Sequence, residues 1–87
     1  MFYQIGGKYA VNEKKIIGFF DIEETTKSEE TKEFLKSAQR EKRIINISIG
    51  ALPKTFIVTD KNVYITPLEA DTIINRNRMR GIEKWMV

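Results

Sequence analysis

The spacing of apolar positions in the first quarter of the chain predicts three short strands. Residues 2–5 and 9–11 fit two strands, and the glycine pair at 6–7 supplies the positive φ angles that a tight turn between them needs. Residues 15–21 are nearly all apolar, so we predict a third strand there, at the centre of a sheet. Gly18 inside this strand indicates a β-bulge or a close approach of the backbone.

The second half of the chain continues the strand pattern. Within residues 44–49 isoleucine alternates with asparagine and serine, a period of two that predicts a half-buried strand, and residues 50–53 break it with glycine and proline. Residues 55–59 and 63–66 predict a hairpin, because the Asp-Lys-Asn sequence at 60–62 is a good turn signal.

Two helices are predicted between and after these strands. The first begins near residue 28, where either Thr26, with Glu29 at capping-box spacing, or Ser28 can act as the N-cap. Its narrow apolar stripe, which would pack on the sheet, consists of Phe34, Leu35 and Ala38.

The second helix has the clearest local signature in the chain. Thr66 is predicted to cap it, Pro67 fits the first helical position, and Glu69 completes a capping box. The helix is predicted to run towards Met79. Its inward-facing residues are predicted to be Leu68, Ile73 and Ile74.

The composition favours one small domain rich in sheet. Thirteen isoleucines against three leucines favour strands, because β-branched side chains fit a pleated surface and lose rotamer freedom in helices. With 87 residues and no repeat or linker, residues 1–87 are predicted to form a single α+β domain. It would contain a small, largely antiparallel sheet of five or six short strands and two helices. Gly81 would end the second helix and leave residues 82–87, with the only tryptophan, Trp85, as a C-terminal tail.

The residue types that most catalysts need are missing. Without cysteine or histidine, the chain has no thiol nucleophile, no disulfide, no histidine base and neither of the commonest zinc ligands. Asp21, Asp60 and Asp71 fall at a predicted strand end, a turn and a helix start, where each has a local structural role. The glycine pair at 6–7 is too short to cradle a nucleotide. We therefore predict a protein that is not an enzyme, with no metal, no cofactor and no evident small-molecule substrate.

Two charged segments have both a functional and a structural interpretation. The acidic residues within 23–30 lack the spacing and the glycine of a calcium-binding EF-hand loop, so a flexible, solvated loop is favoured. Arg76, Arg78 and Arg80 would either contact phosphates or stabilise the C-terminal end of the second helix. Taken alone, the helix-end interpretation is favoured.

The net charge is mildly positive, +3 with a pI near 9.3, which permits a polyanionic partner without requiring one. Lys8, Lys14 and Lys15 lie on or beside the first predicted strands, where lysines are usually solvated or protect a sheet edge, and a functional role is the alternative. No apolar run approaches the length of a membrane span, and the N-terminus lacks a signal-peptide pattern. We expect a cytoplasmic protein without membrane contact.

Short segments spread over most of the chain carry a family resemblance. They are Ile5-Gly6, Lys15-Ile16-Ile17, Ala38-Gln39-Arg40-Glu41, Gly50, Pro53-Lys54, Phe56-Ile57-Val58-Thr59 and Val63-Tyr64-Ile65-Thr66-Pro67-Leu68. As an ordered set they resemble the bacterial extracellular-matrix regulator family of RemA and RemB. Within that family the likeness is greater to the RemB branch, on Gly6-Gly7 with Val11-Asn12 and on Phe20-Asp21.

This resemblance implies a non-enzymatic regulator. RemA-like proteins form closed rings that bind DNA and control transcription of biofilm-matrix operons, so the resemblance implies a homo-oligomeric ring and double-stranded DNA as partners. A ring would cover the hydrophobic edges of small protomers and multiply phosphate contacts. One protomer with a charge of +3 would not reach the roughly 6–10 phosphate contacts of a strongly salt-dependent DNA binder.

The positions that contact DNA in the family are partly kept. Lys15 stands at a basic position that opens the third strand, Lys54 is basic just after the fourth, and Arg76 matches an arginine of the second helix. RemA-like proteins also carry an arginine pair directly after the glycine of the fourth strand, where this chain has Ala51 and Leu52. The resemblance therefore assigns DNA-backbone contacts to Lys15, Lys54 and Arg76. The alternative is a structural or protein-interaction ring without DNA binding, in which Ala51 and Leu52 line a protein contact.

Overall fold

The computed structural model describes residues 2–76 of the chain, which form six strands and three α-helices. The strands are β1 (Phe2–Gly6), β2 (Tyr9–Asn12), β3 (Ile16–Asp21), β4 (Ile44–Asn46), β5 (Thr55–Thr59) and β6 (Val63–Thr66). The helices are α1 (Ile22–Thr25), α2 (Glu29–Arg40) and α3, described over residues 70–76, and a 3₁₀ turn spans Glu13–Lys15. The predicted end of the last helix near Met79 and at Gly81, and the tail at 82–87 with Trp85, lie outside the described residues.

The strands form two sheets. β1 and β2 make a two-stranded antiparallel hairpin, and the other four strands form a sheet in the order β3-β5-β6-β4. The β3–β5 and β5–β6 pairs are antiparallel, whereas β4 pairs with β6 in parallel. The predicted α+β domain of short, largely antiparallel strands is confirmed, with the strands divided between two sheets.

β3 lies at an edge of the four-stranded sheet, which corrects the prediction that it is central. The two interior positions belong to β5 and β6, and the five residues of β5 are all buried between β3 and β6. An apolar run indicates burial, but the place of a strand in a sheet depends on its partners, which the run does not specify. The predicted bulge is confirmed, because the register of β3 against β5 shifts between Ile16 and Gly18. A Cβ atom on Gly18 would lie 2.8 Å from the ring of Phe20.

Each face of the four-stranded sheet carries its own apolar cluster. On one face, the β1–β2 hairpin and α3 pack on the sheet, and the buried members of this cluster are Ile5, Val11, Ile57 and Ile73. On the other face, α2 packs on the sheet, and the buried members are Ala38, Phe56, Val58 and Val63. Adjacent residues of β5 face opposite clusters because strand side chains alternate. The predicted packing of Leu35, Leu68 and Ile73 is confirmed, whereas Phe34 keeps 37% of its surface exposed.

β4 is shorter than predicted and ends at Asn46 rather than at residue 49. The Asn46 side-chain oxygen accepts a hydrogen bond of 2.8 Å from the backbone N–H of Ser48, which turns the chain out of the strand. Ile49, the last isoleucine of the alternating pattern, consequently stands 90% exposed in the loop that follows.

Most of the acidic segment is helical, with a turn at residues 26–28, which corrects the prediction of a flexible loop. Asp21 caps α1, since its carboxylate accepts a hydrogen bond of 3.1 Å from the N–H of Glu24. Ser28 caps α2 through the N–H of Thr31. Of the two alternatives for that cap, Ser28 is therefore the residue used, and the Thr26 hydroxyl instead donates to the Ile22 carbonyl of α1.

Thr66 is the last residue of β6 and does not open a helix directly, which corrects the prediction that it caps the second predicted helix. Its hydroxyl accepts a hydrogen bond from the N–H of Leu68, as a cap would, but residues 67–69 are not helical and α3 begins at residue 70. The same hydroxyl donates to the carbonyl of Ile5, 61 positions away. Because Thr66 is fully buried, this hydrogen bond fixes the hairpin against the main sheet.

Candidate interaction surface

The two lysines predicted to contact DNA are held by the backbone at the ends of the β3–β5 pair. Lys15 ends the 3₁₀ turn just before β3, and its carbonyl accepts a hydrogen bond of 3.2 Å from the N–H of Asp60. Lys54 directly precedes β5, where its N–H donates to Thr66 and its carbonyl accepts from Ile22. Both lysine side chains are exposed.

The structure does not bring Lys15 and Lys54 together within a protomer. Ile16 pairs with Thr59 at one end of the ladder, and Asp21 pairs with Thr55 at the other. At 3.2–3.4 Å per residue, the two lysines are therefore roughly 20 Å apart along the strand direction. A single protomer offers two separate cationic positions rather than one patch.

Arg76 is an exposed residue of α3, three positions after the fully buried Ile73. Ile73 packs into the cluster that lies beneath the β1–β2 hairpin, so α3 places Arg76 on the hairpin side of the sheet. The neighbouring candidates Arg78 and Arg80 lie outside the described residues. Arg76 is thus a third position whose charge faces solvent.

Ala51 and Leu52 lie in the loop between β4 and β5 and are exposed, Leu52 to 70%. The loop has a defined turn, since Gly50 adopts a φ of +77° and the N–H of Ala51 donates to the carbonyl of Ser48 over 3.1 Å. Ile49 joins them with 90% of its surface exposed. We call Ile49, Ala51 and Leu52 the apolar loop.

The apolar loop was only partly predicted from the sequence. The alternation of isoleucines assigned Ile49 to a strand, whereas the turn at Asn46 moves it into solvent. The signal that could have revealed this is the Asn-Ile-Ser sequence, since asparagine side chains often hydrogen-bond the backbone two residues later.

A second apolar surface lies along the free edge of β3. Ile17 is 71% exposed there and lines a groove of about 310 Å³ between β3 and α2. Phe20, Phe34 and Phe56 line the same groove. The groove and the apolar loop are separate surfaces, since Ile17 belongs to β3 and the loop follows β4.

The groups exposed at this surface are suited to binding. Within residues 2–76 no three carboxylates gather as a metal site would require, and no helix in that range is long and apolar enough to cross a bilayer. The exposed lysines can form ion pairs with phosphates, and the apolar loop can be buried by another protein.

Comparison with known proteins reveals similarity over most of the chain. Residues 2–76 match the family described as RemA-like, extracellular matrix regulatory protein A-like. The chain is also 32% identical over 76 residues to extracellular matrix regulatory protein B of Bacillus subtilis (strain 168), an alignment that covers 87% of this chain and 89% of that protein. The family resemblance noted in the sequence is thereby confirmed. A match that takes in every described element and all five candidate residues establishes that the chain belongs to the RemA-like family of extracellular matrix regulatory proteins.

Proposed function

We propose that this protein is a non-enzymatic, cytoplasmic regulator of extracellular-matrix genes that acts as a homo-oligomeric ring and binds the backbone of DNA. Family membership supports the regulatory role, since the matched relative is named as an extracellular matrix regulatory protein. The observation that best supports self-association is the exposure of Ile49 and Leu52 on a loop with a defined turn.

The apolar loop supports assembly because its side chains gain free energy when another surface covers them. Complete burial of one leucine or isoleucine side chain is worth about 1.5–3 kcal/mol. Ile49 and Leu52 expose 90% and 70% of their surfaces in the protomer, so most of that gain is still available. A closed ring would use it once at each interface.

The separation of the lysines supports DNA binding by several protomers together. Lys15 and Lys54 lie roughly 20 Å apart along the strand direction, so each protomer reaches few phosphates. Repetition around a ring would add the contacts of many copies, with Arg76 as a third contact in each. Contacts of this kind go to phosphates and carry little base specificity.

The test is the affinity for random-sequence duplex DNA at low and at physiological salt, on protein whose oligomeric mass is known from light scattering. We expect affinity to fall steeply as salt rises, with a log–log slope of about −0.9 per phosphate neutralised. The double substitution Lys15→Glu with Lys54→Glu should abolish binding, because it replaces attraction by repulsion at both ends of β5.

A matched control is Lys27→Glu with Lys36→Glu, which changes the net charge by the same amount. Lys27 and Lys36 lie in the α1–α2 region, 3.8 Å from Glu24 and 3.9 Å from Glu33, so their charges are locally compensated. This control should retain binding. Equal loss in both double variants, or an affinity that does not change with salt, would contradict the proposed DNA contacts.

A second candidate function is a protein-interaction ring that never binds DNA. The exposed Leu52 favours it, because a leucine at this position offers nothing to a phosphate and suits an apolar partner surface. In that case Leu52→Asp should disrupt the assembly, whereas charge reversal at Lys15 should leave it intact. The gel-shift and light-scattering measurements together distinguish the two functions.

A further inference from the structure

A cleft of about 220 Å³ lies beside Lys15, between the β1–β2 hairpin and the turn that joins β5 to β6. Its walls include Phe2 and Lys15 from the N-terminal side and Asp60, Lys61, Asn62 and Tyr64 from the turn and β6. The cleft is smaller than the roughly 300–1,000 Å³ of a pocket for a drug-sized ligand and is open to solvent, so it suits a small ligand that is only partly enclosed.

The charges at this cleft favour an anion. Lys15 and Lys61 both line it, and within residues 2–76 neither has a carboxylate within salt-bridge distance. By contrast, Lys27 and Lys32 lie 3.8 Å and 3.4 Å from glutamates three residues earlier in the chain. Asp60 is the one carboxylate on the cleft wall, so two cations face one anion there. An anionic group bound here would therefore give the two lysines a charge partner that the protein itself does not provide.

The aromatic residues favour a planar ring beside that anionic group. Phe2 lines the cleft with 59% of its surface exposed, and the half-buried Tyr64 lines it as well. The ring of Tyr9 supports Tyr64, with centroids 6.4 Å apart and planes tilted by 58°. Aromatic side chains that reach solvent are the usual stacking surface for nucleobases, and this cleft contains two of them.

The turn that carries Lys61 is held by several hydrogen bonds. The Thr59 hydroxyl donates to the carbonyl of Asn62 and accepts from its N–H, over 2.9 Å and 3.0 Å. The Nε of Arg43 donates to the carbonyl of Lys61 over 3.0 Å. A ligand would therefore meet a cleft whose turn is already ordered, which lowers the entropic cost of binding.

We propose that this cleft binds a free nucleoside monophosphate, with its phosphate between Lys15 and Lys61 and its base against Phe2 and Tyr64. This proposal depends on the geometry of the cleft and does not require the proposed DNA binding. If Lys15 also contacts DNA, the two ligands exclude one another, and a free nucleotide becomes a regulator of DNA binding.

The experiment is a titration of the full chain with AMP and GMP, followed by two-dimensional amide NMR. We expect saturable shifts at residues of the β5–β6 turn and at residues 2 and 15, with a Kd below about 1 mM for at least one nucleotide. Adenosine lacks the anion and ribose 5-phosphate lacks the base, so each should bind at least about tenfold more weakly.

Two exposed positions provide variants that should fold normally. Lys61→Glu should abolish nucleotide binding. Phe2→Ala should lower the affinity for the nucleotide towards the affinity for ribose 5-phosphate, whereas the control Lys27→Glu should leave the nucleotide affinity unchanged. Lys61 is not among the proposed DNA contacts, so loss of nucleotide binding in Lys61→Glu with DNA binding retained separates this proposal from the one above.

Three results would overturn the site. They are the absence of shifts at the turn at millimolar nucleotide, an unchanged affinity in Lys61→Glu, and equal affinities for AMP and ribose 5-phosphate. The last result would show only non-specific attraction of anions to lysine.

Discussion

Leu52→Ala should weaken self-association without destabilising the protomer. Leu52 has 70% of its surface exposed, so its side chain contributes little to the core. Burial of a whole leucine is worth about 1.5–3 kcal/mol, and 70% of that range, about 1–2 kcal/mol, is available to an interface. At 1.4 kcal/mol per tenfold, the truncation should raise the dissociation constant of each contact about 5- to 30-fold.

The assay is the weight-average mass from light scattering or sedimentation over a dilution series, with thermal unfolding of the same samples at high dilution. Wild-type protein and Leu52→Ala should unfold alike once dissociated, and their dissociation midpoints should differ by the predicted factor. Ile17→Ala is the matched control, since Ile17 is 71% exposed but lies on the β3 edge. It should leave the mass curve unchanged.

The reasoning fails if wild-type protein stays a single subunit at all working concentrations. It also fails if the mass curve is insensitive both to Leu52→Ala and to the harsher Leu52→Asp. Equal weakening by Ile17→Ala would move the interface from the apolar loop to the β3 edge, and that result would likewise refute the assignment of Leu52.

Two further predictions concern stability and are measured by urea denaturation followed by circular dichroism. Thr66→Val should cost about 1–3 kcal/mol, because it leaves the Ile5 carbonyl and the Leu68 N–H unpaired. Thr66→Ser, which keeps the hydroxyl, should cost less, and a fully stable valine variant would contradict this role. Gly18→Ala should cost about 1–3 kcal/mol, since its Cβ meets the Phe20 ring that stacks on Phe56 at 5.1 Å. Combining it with Phe20→Leu should be clearly less than additive, and strict additivity would show that the clash is absent.

Much of the local structure could be predicted because short stretches of sequence determine it. Gly6 and Gly7 have φ angles of +127° and +57°, as the predicted tight turn requires. The hairpin around residues 60–62, the bulge at Gly18 and the Ser28 cap likewise depend on neighbours a few positions away. These features follow from backbone sterics and local hydrogen bonds, which the identities of adjacent residues fix.

The sequence also indicated the candidate surface residues, through charge and family resemblance, but not their arrangement. Lys15 and Lys54 were identified as basic positions, and their separation became visible only with the antiparallel register of β3 on β5. The cleft beside Lys15 depends on Phe2 and Tyr64, which are distant in sequence and neither charged nor part of a recognisable motif.

By itself, the sequence determined the fold class, most of the elements and the family. Secondary-structure propensities, turn residues and ordered motifs are all contained in short stretches of sequence. Only the tertiary structure decided that β3 lies at an edge, that the strands form two sheets joined through Thr66, and that Ile49 leaves its strand. The physical reason is that strand partners and buried hydrogen bonds join residues far apart in the chain. Their energies depend on which surfaces meet, and no short stretch of sequence specifies that.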